Sequence, residues 1–438
     1  MSLKSASTNA SPANSRQTAI ALAAILLMAL AFRLGWVLVI DPSPVQPGGD
    51  ALFYLSLGRG AAGLESVGGS QLLAVGPMYP LYLSLFYRAL PEALVVPAAR
   101  AGQAVLDTAM CLCIFDLGRR LFNTRIGLLA AAVLALDLRF VVQTREITTE
   151  TVFMFFLVAG AAAFVAARDH GGISRYAGSA LLLLLAAFTR AIALPLLILL
   201  PGSLLLSKPT RAQWKVFGVI LALAVALAGA WSVRQYQATG QWVVVSDGFG
   251  GNFWMGSRDD GQWHGNAAFQ AELEDLKLRY GGRAAYMEDA LRTIVGDPVA
   301  YGQRLAVKLA RAYLQPHGTV SFPGESLKDL AVHVIRGEIG FGELITGDAF
   351  WPKLIIYIFH FTGLIGGLLG LWLARRDWLK ILPLTLPIAY ITLAYVLLTI
   401  IPRYIFPIMP FYMLLAAYTG VEVFTRYKTS KSQLVIGN

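Results

Sequence analysis

Apolar runs of about 17–25 residues, nearly free of charge, recur along this chain and leave little choice of fold. In lipid such a run satisfies its backbone as a helix, because no water is present to take its N–H and C=O groups. Runs of this kind are readable at 18–40, 97–117, 126–142, 150–167, 214–232, 352–374, 379–400 and 404–424, with a shorter pair at 176–188 and 191–206. Hydrophobic residues make up 56% of the chain and charged residues 14%. A soluble domain carries about a quarter charged residues. The chain is read as an all-α polytopic membrane protein with about ten transmembrane helices.

The remaining charges orient it. A formal charge of +10 would suggest nucleic acid in a soluble domain. Here the Lys and Arg residues sit in short loops between apolar runs, which is the orientation signal of a membrane protein. No aromatic-basic nucleic-acid module accompanies them. The segment 77–90 is apolar but short. If it stays out of the membrane and Met1 is cytoplasmic, the basic clusters at Arg119, Arg168, Arg211, Arg375 and Arg426 all face the cytoplasm. If it crossed, each would flip outward. It is therefore read as an interfacial helix within a first outer loop, 41–96.

The same topology divides the chain. Residues 1–17, rich in Ser, Ala and Asn, read as a disordered cytoplasmic N-terminus. Residues 18–232 form an N-terminal transmembrane module. Residues 233–351 form a small, mainly helical extracytoplasmic region, 352–425 the C-terminal transmembrane helices and 426–438 a cytoplasmic tail. The run after residue 17 is too long for a signal-peptide core and reads as a retained span. Arg33, near one end of it, reads as a snorkelling residue. Cys111 and Cys113 share an apolar helix at i and i+2, so they do not face each other and read as small buried residues.

Within the first outer loop, the stretch Gly48-Gly49-Asp50-Ala51-Leu52-Phe53-Tyr54-Leu55-Ser56-Leu57-Gly58-Arg59 holds one carboxylate in an apolar setting. As a helix it puts Asp50, Tyr54 and Gly58 on one face, beside Phe53 and Leu57. The glycines permit a sharp entry, which places Asp50 where an N-cap or first-turn residue sits. Further polar residues fall on the same side: Arg145, Glu146 and Glu150 between two spans, Arg190 in a tight apolar hairpin, and Arg403 beside Tyr404. Ionisable residues at a membrane are costly, so each is a functional candidate. Each also has a plainer explanation. Glu150 favours a helix N-terminus, Arg403 can anchor at the interface, and Arg145–Glu146 can be a surface pair. Several arginines facing one or two carboxylates suit a phosphorylated lipid, since guanidinium groups bind phosphate in bidentate fashion.

In the region 233–351, Trp242–Val245 reads as a short strand and Gly248–Gly256 as a Gly/aromatic loop. Helices are expected over Ala267–Tyr280, Ala284–Val295 and Pro298–Leu314. The last starts with Asp297 as N-cap and proline at the first position, and has the pattern of a helix lying on the membrane. Trp242, Trp254 and Trp263 can be interfacial belt residues. The histidines His170, His264, His317, His333 and His360 are scattered without ligand spacing.

The ordered set of pieces resembles the GT-C superfamily of polytopic glycosyltransferases, in particular the protein O-mannosyltransferase and aminoarabinose transferase-like group. The resemblance covers about 18–425. Its pieces are Asp50, Tyr54 and Arg59 after the first span, then Gly76-Pro77-Met78-Tyr79-Pro80-Leu81-Tyr82. Ala99-Arg100, Gln103 and Gly118-Arg119-Arg120-Leu121-Phe122-Asn123 come next, where the family tends to have Gly after the Phe. Thr148-Thr149-Glu150-Thr151, Phe188-Thr189-Arg190 and Asn252-Phe253-Trp254-Met255-Gly256 follow, with Pro402-Arg403-Tyr404 last. The resemblance implies a polyprenyl phosphate monosaccharide as donor, used on the outer side of the membrane, with Asp50 as the catalytic carboxylate. Many protein mannosyltransferases have an Asp-Glu pair there, whereas Asp50 precedes Ala51. That departure argues against protein mannosylation specifically and leaves lipid or glycan acceptors open.

The expected reaction is inverting transfer of a monosaccharide to an acceptor hydroxyl of a lipid, glycan or protein. Tyr54, Arg59, Tyr79, Tyr82, Arg145, Glu150, Arg190, Arg403 and Tyr404 are the substrate-binding candidates. No metal ligand is assigned, although there is room for a divalent cation. The expected partners are the polyprenyl phosphate sugar donor, the acceptor and membrane lipids, not nucleic acid. The compact loops and Ala/Leu-rich spans fit a bacterial inner membrane, with the site facing the periplasm or exterior. The rival reading is a transporter or flippase for a lipid-linked or anionic solute. It would predict polar residues in mid-span and internal symmetry, whereas no repeat is visible.

Overall fold

The computed structural model describes residues 12–46, 49–68, 71, 74–206, 209–258, 271–272, 274–276, 278, 283–347 and 349–436. These form helices and connections, with no strand among them. In chain order the helices are α1 (Pro12–Gly35), α2 (Asp50–Ala62), α3 (Met78–Ala89), α4 (Glu92–Leu121), α5 (Thr124–Leu136) and α6 (Leu138–Gln143). Then come α7 (Glu150–His170), α8 (Ile173–Thr189), α9 (Leu196–Gly202), α10 (Arg211–Thr239), α11 (Phe249–Ser257), α12 (Arg283–Gly296) and α13 (Pro298–Leu314). The last are α14 (Leu327–Ile335), α15 (Phe341–Thr346), α16 (Phe350–Leu373), α17 (Trp378–Leu397), α18 (Pro402–Ile405) and α19 (Met409–Ile436).

Seven helical segments among the described residues are long and apolar enough to cross a membrane, and three shorter apolar helices cover Thr124–Leu136, Ile173–Thr189 and Ala191–Leu206. Together they fall on the ten apolar runs. The run 126–142 is broken at Asp137, where α5 ends and α6 begins. The segment 77–90 forms α3, whose face of Tyr79, Pro80, Tyr82 and Leu83 is buried. It packs on α2, where Gly58 is needed because a Cβ there would lie 2.7 Å from Leu83 Cβ.

Arg33 does not snorkel. It is fully buried and pairs with Asp107 of α4. Its Nη1 donates to Ala135 O at 3.0 Å and its Nη2 to Leu134 O at 3.2 Å. These carbonyls lie in the last turn of α5, where no further helical N–H is available. A cation is favoured there, so the α5 break and the buried arginine explain one another. A second buried pair follows, with Arg139 forked on Asp137 and its Nη1 2.8 Å from His360 Nδ1 of α16.

Helices α16 and α19 meet along Gly363, Gly366, Gly367 and Gly370, a small-residue face that lets backbones approach. A Cβ on Gly370 would lie 2.4 Å from Leu415 O. Gly370→Ala is therefore expected to lower stability by about 1–3 kcal/mol. Thermal unfolding in nanodiscs checks this, with Gly420→Ala on the open side of α19 as the neutral comparison.

Two expectations for 233–351 are corrected. Trp242–Val245 is not a strand. Among the described residues no partner strand completes a ladder, and its carbonyls are taken by side chains of α10 instead. Ser232 Oγ donates to Val243 O at 2.7 Å and Trp231 Nε1 to Val245 O at 3.3 Å. Gly248–Gly256 is not a loop but lies almost wholly within α11, beginning at Phe249, in contact with the end of α17. Most of Ala267–Tyr280 lies outside the described residues. The helices at 284–295 and 298–314 are present as α12 and α13, and Asp297 Oδ1 caps α13 by accepting from Ala300 N at 2.9 Å. On α13, Lys308 is turned inward and buried.

Candidate functional site

Four separate parts of the chain end at one place. Helix α2 contributes Asp50 from its first residue. Its N-cap is Gly49, at φ +73°, and no side-chain cap bond is made. The Asp50 carboxylate, half exposed, instead accepts from Arg403 Nη1 at 2.6 Å. Helix α7 contributes Glu150, also at its first residue, with a fully buried side chain. The break after α8 contributes Arg190, and the short α18 contributes Arg403 and Tyr404.

Glu150 ties these together. Arg190 Nη1 donates to Glu150 Oε1 at 2.8 Å, while Arg403 Nε donates to the same oxygen and Nη2 to Oε2 at 3.2 Å. Arg403 thus spans both carboxylates, one on α2 and one on α7. The Arg190 guanidinium lies over the Tyr404 ring at 4.9 Å, with Phe153 at 5.8 Å and Tyr395 at 5.9 Å. Tyr395 and Tyr404 stack at 4.8 Å. The two carboxylates and two guanidinium groups are formally neutral together. An unpaired charge in such a place would be strongly unfavourable.

Beside this network is a cavity of about 350 Å³, lined by Asp50, Arg100, Arg145, Glu146, Thr148 and Arg403 among others. Arg145 pairs with Asp41 at 2.8 Å and Glu146 at 3.2 Å. Arg100 of α4 is buried and committed to backbone, donating to Arg145 O at 2.8 Å and Ser43 O at 2.7 Å. It joins the first outer loop to the 144–149 loop.

Three of the tyrosines named as substrate-binding candidates lie away from the cavity. Tyr79 is fully buried and donates to Gln103 Oε1 at 2.9 Å. Gln103 Nε2 in turn donates to Thr144 O and Glu146 O, both at 2.9 Å. Tyr82 donates to Ala99 O. Tyr54 is buried edge-on against Tyr79, with ring centroids 5.1 Å apart. None of the three lines the cavity. They share one apolar cluster with Ile147, and Tyr79 reaches the 144–149 loop through Gln103. Arg59 also lies apart, pairing with Glu65 at 3.4 Å and with Glu92.

Sequence reasoning missed several neighbours. Asp137 and Arg139 fall inside an apolar run, although two ionisable residues within one are a signal in themselves. His317 follows α13, and its Nε2 donates to Gln143 Oε1 at 2.7 Å while its ring packs on Phe406 at 4.7 Å. Nothing in its local sequence marks it. Burial pushes the His317 imidazole down to about 4, with nearby arginines acting in the same direction and Glu150 opposing them. The unfolded chain takes up this proton below about 6.5, whereas the folded protein resists it until about 4. The contribution to stability is thus present above pH 6.5 and is lost as pH falls toward 4. Melting at pH 7 and pH 5 checks this, since His317→Gln is expected to show the smaller drop.

Among the described residues, no group of three His, Cys, Asp or Glu side chains is placed to hold a metal ion. Of the carboxylates lining the cavity, Asp50 is engaged by Arg403 and Glu146 by Arg145, so a divalent cation there would compete with those guanidinium groups.

Residues 74–233 match a family model described as dolichyl-phosphate-mannose-protein mannosyltransferase. That stretch includes Glu150 and Arg190 but neither Asp50 nor Arg403. A search of curated proteins gives no significant match. Among solved structures, the chain is similar to the apo oligosaccharyltransferase of Archaeoglobus fulgidus, with TM-score 0.56 and 15% identity over 97% of this chain and 53% of that one. The same archaeal protein in complex with an inhibitory peptide and a dolichol-phosphate gives TM-score 0.54 and 14% identity over 96% and 52%. A looser likeness is to ArnT from Cupriavidus metallidurans bound to undecaprenyl phosphate, with TM-score 0.40 and 13% identity over 94% and 78%. The chain spans about half the length of the oligosaccharyltransferase it resembles. The chain therefore shares the GT-C architecture of these membrane glycosyltransferases, and the family match lies within it, over residues 74–233.

Proposed function

We propose that the protein transfers a monosaccharide, with inversion, from a polyprenyl phosphate donor to an acceptor hydroxyl at the extracytoplasmic face of the membrane. The observation that carries this reading is Arg403, which bridges the half-exposed Asp50 and the buried Glu150 at the edge of a cavity. Asp50 takes the proton from the acceptor hydroxyl as its oxygen bonds to the anomeric carbon. The bond from that carbon to the lipid phosphate oxygen breaks on the opposite face. The phosphate leaves as an anion and needs no proton, so one carboxylate is enough. Arg403, with Arg190 beside it, stabilises the charge growing on that phosphate. Glu150 does not react. It holds the two guanidinium groups side by side, already paid for in folding and ready before substrate arrives.

The acceptor is a lipid, glycan or protein hydroxyl, and the setting that fits best is a bacterial inner membrane with the site facing the periplasm. A flippase would need membrane-depth charges available to a passing solute. The buried arginines Arg33 and Arg139 are instead paired with Asp107 and Asp137.

The test is mass spectrometry on proteoliposomes supplied with a panel of polyprenyl phosphate sugars and an envelope lipid extract. Consumption of one donor, with a matching sugar-bearing product, is the expected result. Movement of labelled lipid across the bilayer with no donor consumed would replace the transferase by the flippase.

A further inference from the structure

The segment between α10 and α16 braces the turn that leads into Arg403. Helix α17 ends at Leu397, and Leu398 leaves helical geometry at φ −90° and ψ −136°. Helix-end carbonyls at such a turn have no partner within the helix. Here they are taken by α13, with α11 packed alongside. Lys308 Nζ of α13, 2% exposed, donates to Leu398 O at 3.2 Å and to Gly256 O of α11 at 2.6 Å. Tyr301 Oη of α13 donates to Leu397 O at 3.4 Å. In the other direction, Thr399 Oγ1 donates to Asn252 O of α11 at 2.9 Å. Gly256 lies so close that a Cβ there would be 1.9 Å from Leu398 O.

Only Ile400, Ile401 and Pro402 separate this clamped turn from Arg403. Ile400 is buried, and Pro402 starts α18 with its φ restricted by the ring. The connection is therefore short and stiff. Arg403 must meet carboxylates from two other elements at once, so a small shift of its backbone costs alignment at both.

We propose that α11 and α13 position Arg403, with Lys308 and Gly256 as the positioning residues. A lysine is suited to this task because its ammonium can reach carbonyls of two elements together. Glycine is suited because the turn leaves no room for a side chain. The role assigned here rests on the reading of Arg403 as the group that meets the donor phosphate.

The experiment uses the full chain in nanodiscs, comparing wild type with Lys308→Met and Gly256→Ala. Val307→Ala, exposed on the same helix, is the control. Gly256→Ala attacks the clamp from the other side and raises the intrinsic helix propensity of α11, so unravelling of α11 would not explain its effect. Backbone amide exchange over 397–404 is expected to speed up about tenfold in both variants, with α7 and α19 unchanged. The donor KM is expected to rise about tenfold while the acceptor KM holds, a scale consistent with a displacement of under 1 Å. Unchanged exchange at the turn, or an equal change in both KM values, overturns the proposal. A wild type that consumes no polyprenyl phosphate donor sinks the transferase reading and this role with it. Consumption by wild type with unaltered variants sinks this role alone.

Discussion

Replacing Asp50 with asparagine is expected to abolish sugar transfer while leaving the fold in place. The two effects separate because of where Asp50 sits. Its side chain is about half exposed, makes no helix cap and has one ion pair, to Arg403. Exposed pairs contribute about 0–1 kcal/mol, and the asparagine carbonyl can still accept from Arg403. The variant should therefore insert, purify and melt like wild type. As a base, however, an amide is inert at neutral pH. Removing a positioned general base typically costs about 10²–10⁴ in rate. The measurement is product formation from the donor identified in the panel above, alongside thermal unfolding of the same sample. Near-full transfer by a folded Asp50→Asn protein would remove Asp50 from the mechanism.

Glu150 should behave in the opposite way, with loss of stability and function together. Its carboxylate is fully buried and holds both Arg190 and Arg403. Glu150→Ala leaves two guanidinium groups without their shared partner, one of them enclosed by Phe153, Tyr395 and Tyr404. Breaking a buried pair by removing one side typically costs about 3–5 kcal/mol. The expected result is a clearly lowered melting temperature and little detectable transfer. Glu150→Gln preserves shape and two acceptor lone pairs but not charge, so it should recover part of the stability and little of the activity. If Glu150→Ala melts like wild type, the buried network is not what holds the four elements together.

Much of this protein is legible in the amino-acid sequence alone, and for an identifiable reason. Apolar runs long enough to cross a bilayer admit one backbone solution, so the helices at 150–167 and 352–374 follow from composition and length. Proline and Asx signals are similarly local, and Asp297-Pro298 marks the start of α13 to the residue. Asp50, Glu150, Arg190 and Arg403 stand out because an ionisable group next to lipid is costly wherever it lies. The sequence therefore picks these four out among its candidates, and packing brings them together.

Their arrangement was decided by tertiary structure. Whether Asp50 caps its helix or faces a partner depends on Arg403, which is 353 positions away. Tyr79 and Tyr82 are substrate-binding candidates in the sequence, but their hydroxyls are used on Gln103 and Ala99 once α3 packs on α4. Arg33 reads as a snorkelling residue until the open carbonyls of α5 and the carboxylate of Asp107 are brought beside it. His317 and Lys308 carry no local signal at all. Local sequence determines which backbone groups and charges need partners. Only packing determines which partners come within hydrogen-bond reach, because that distance depends on every element between them.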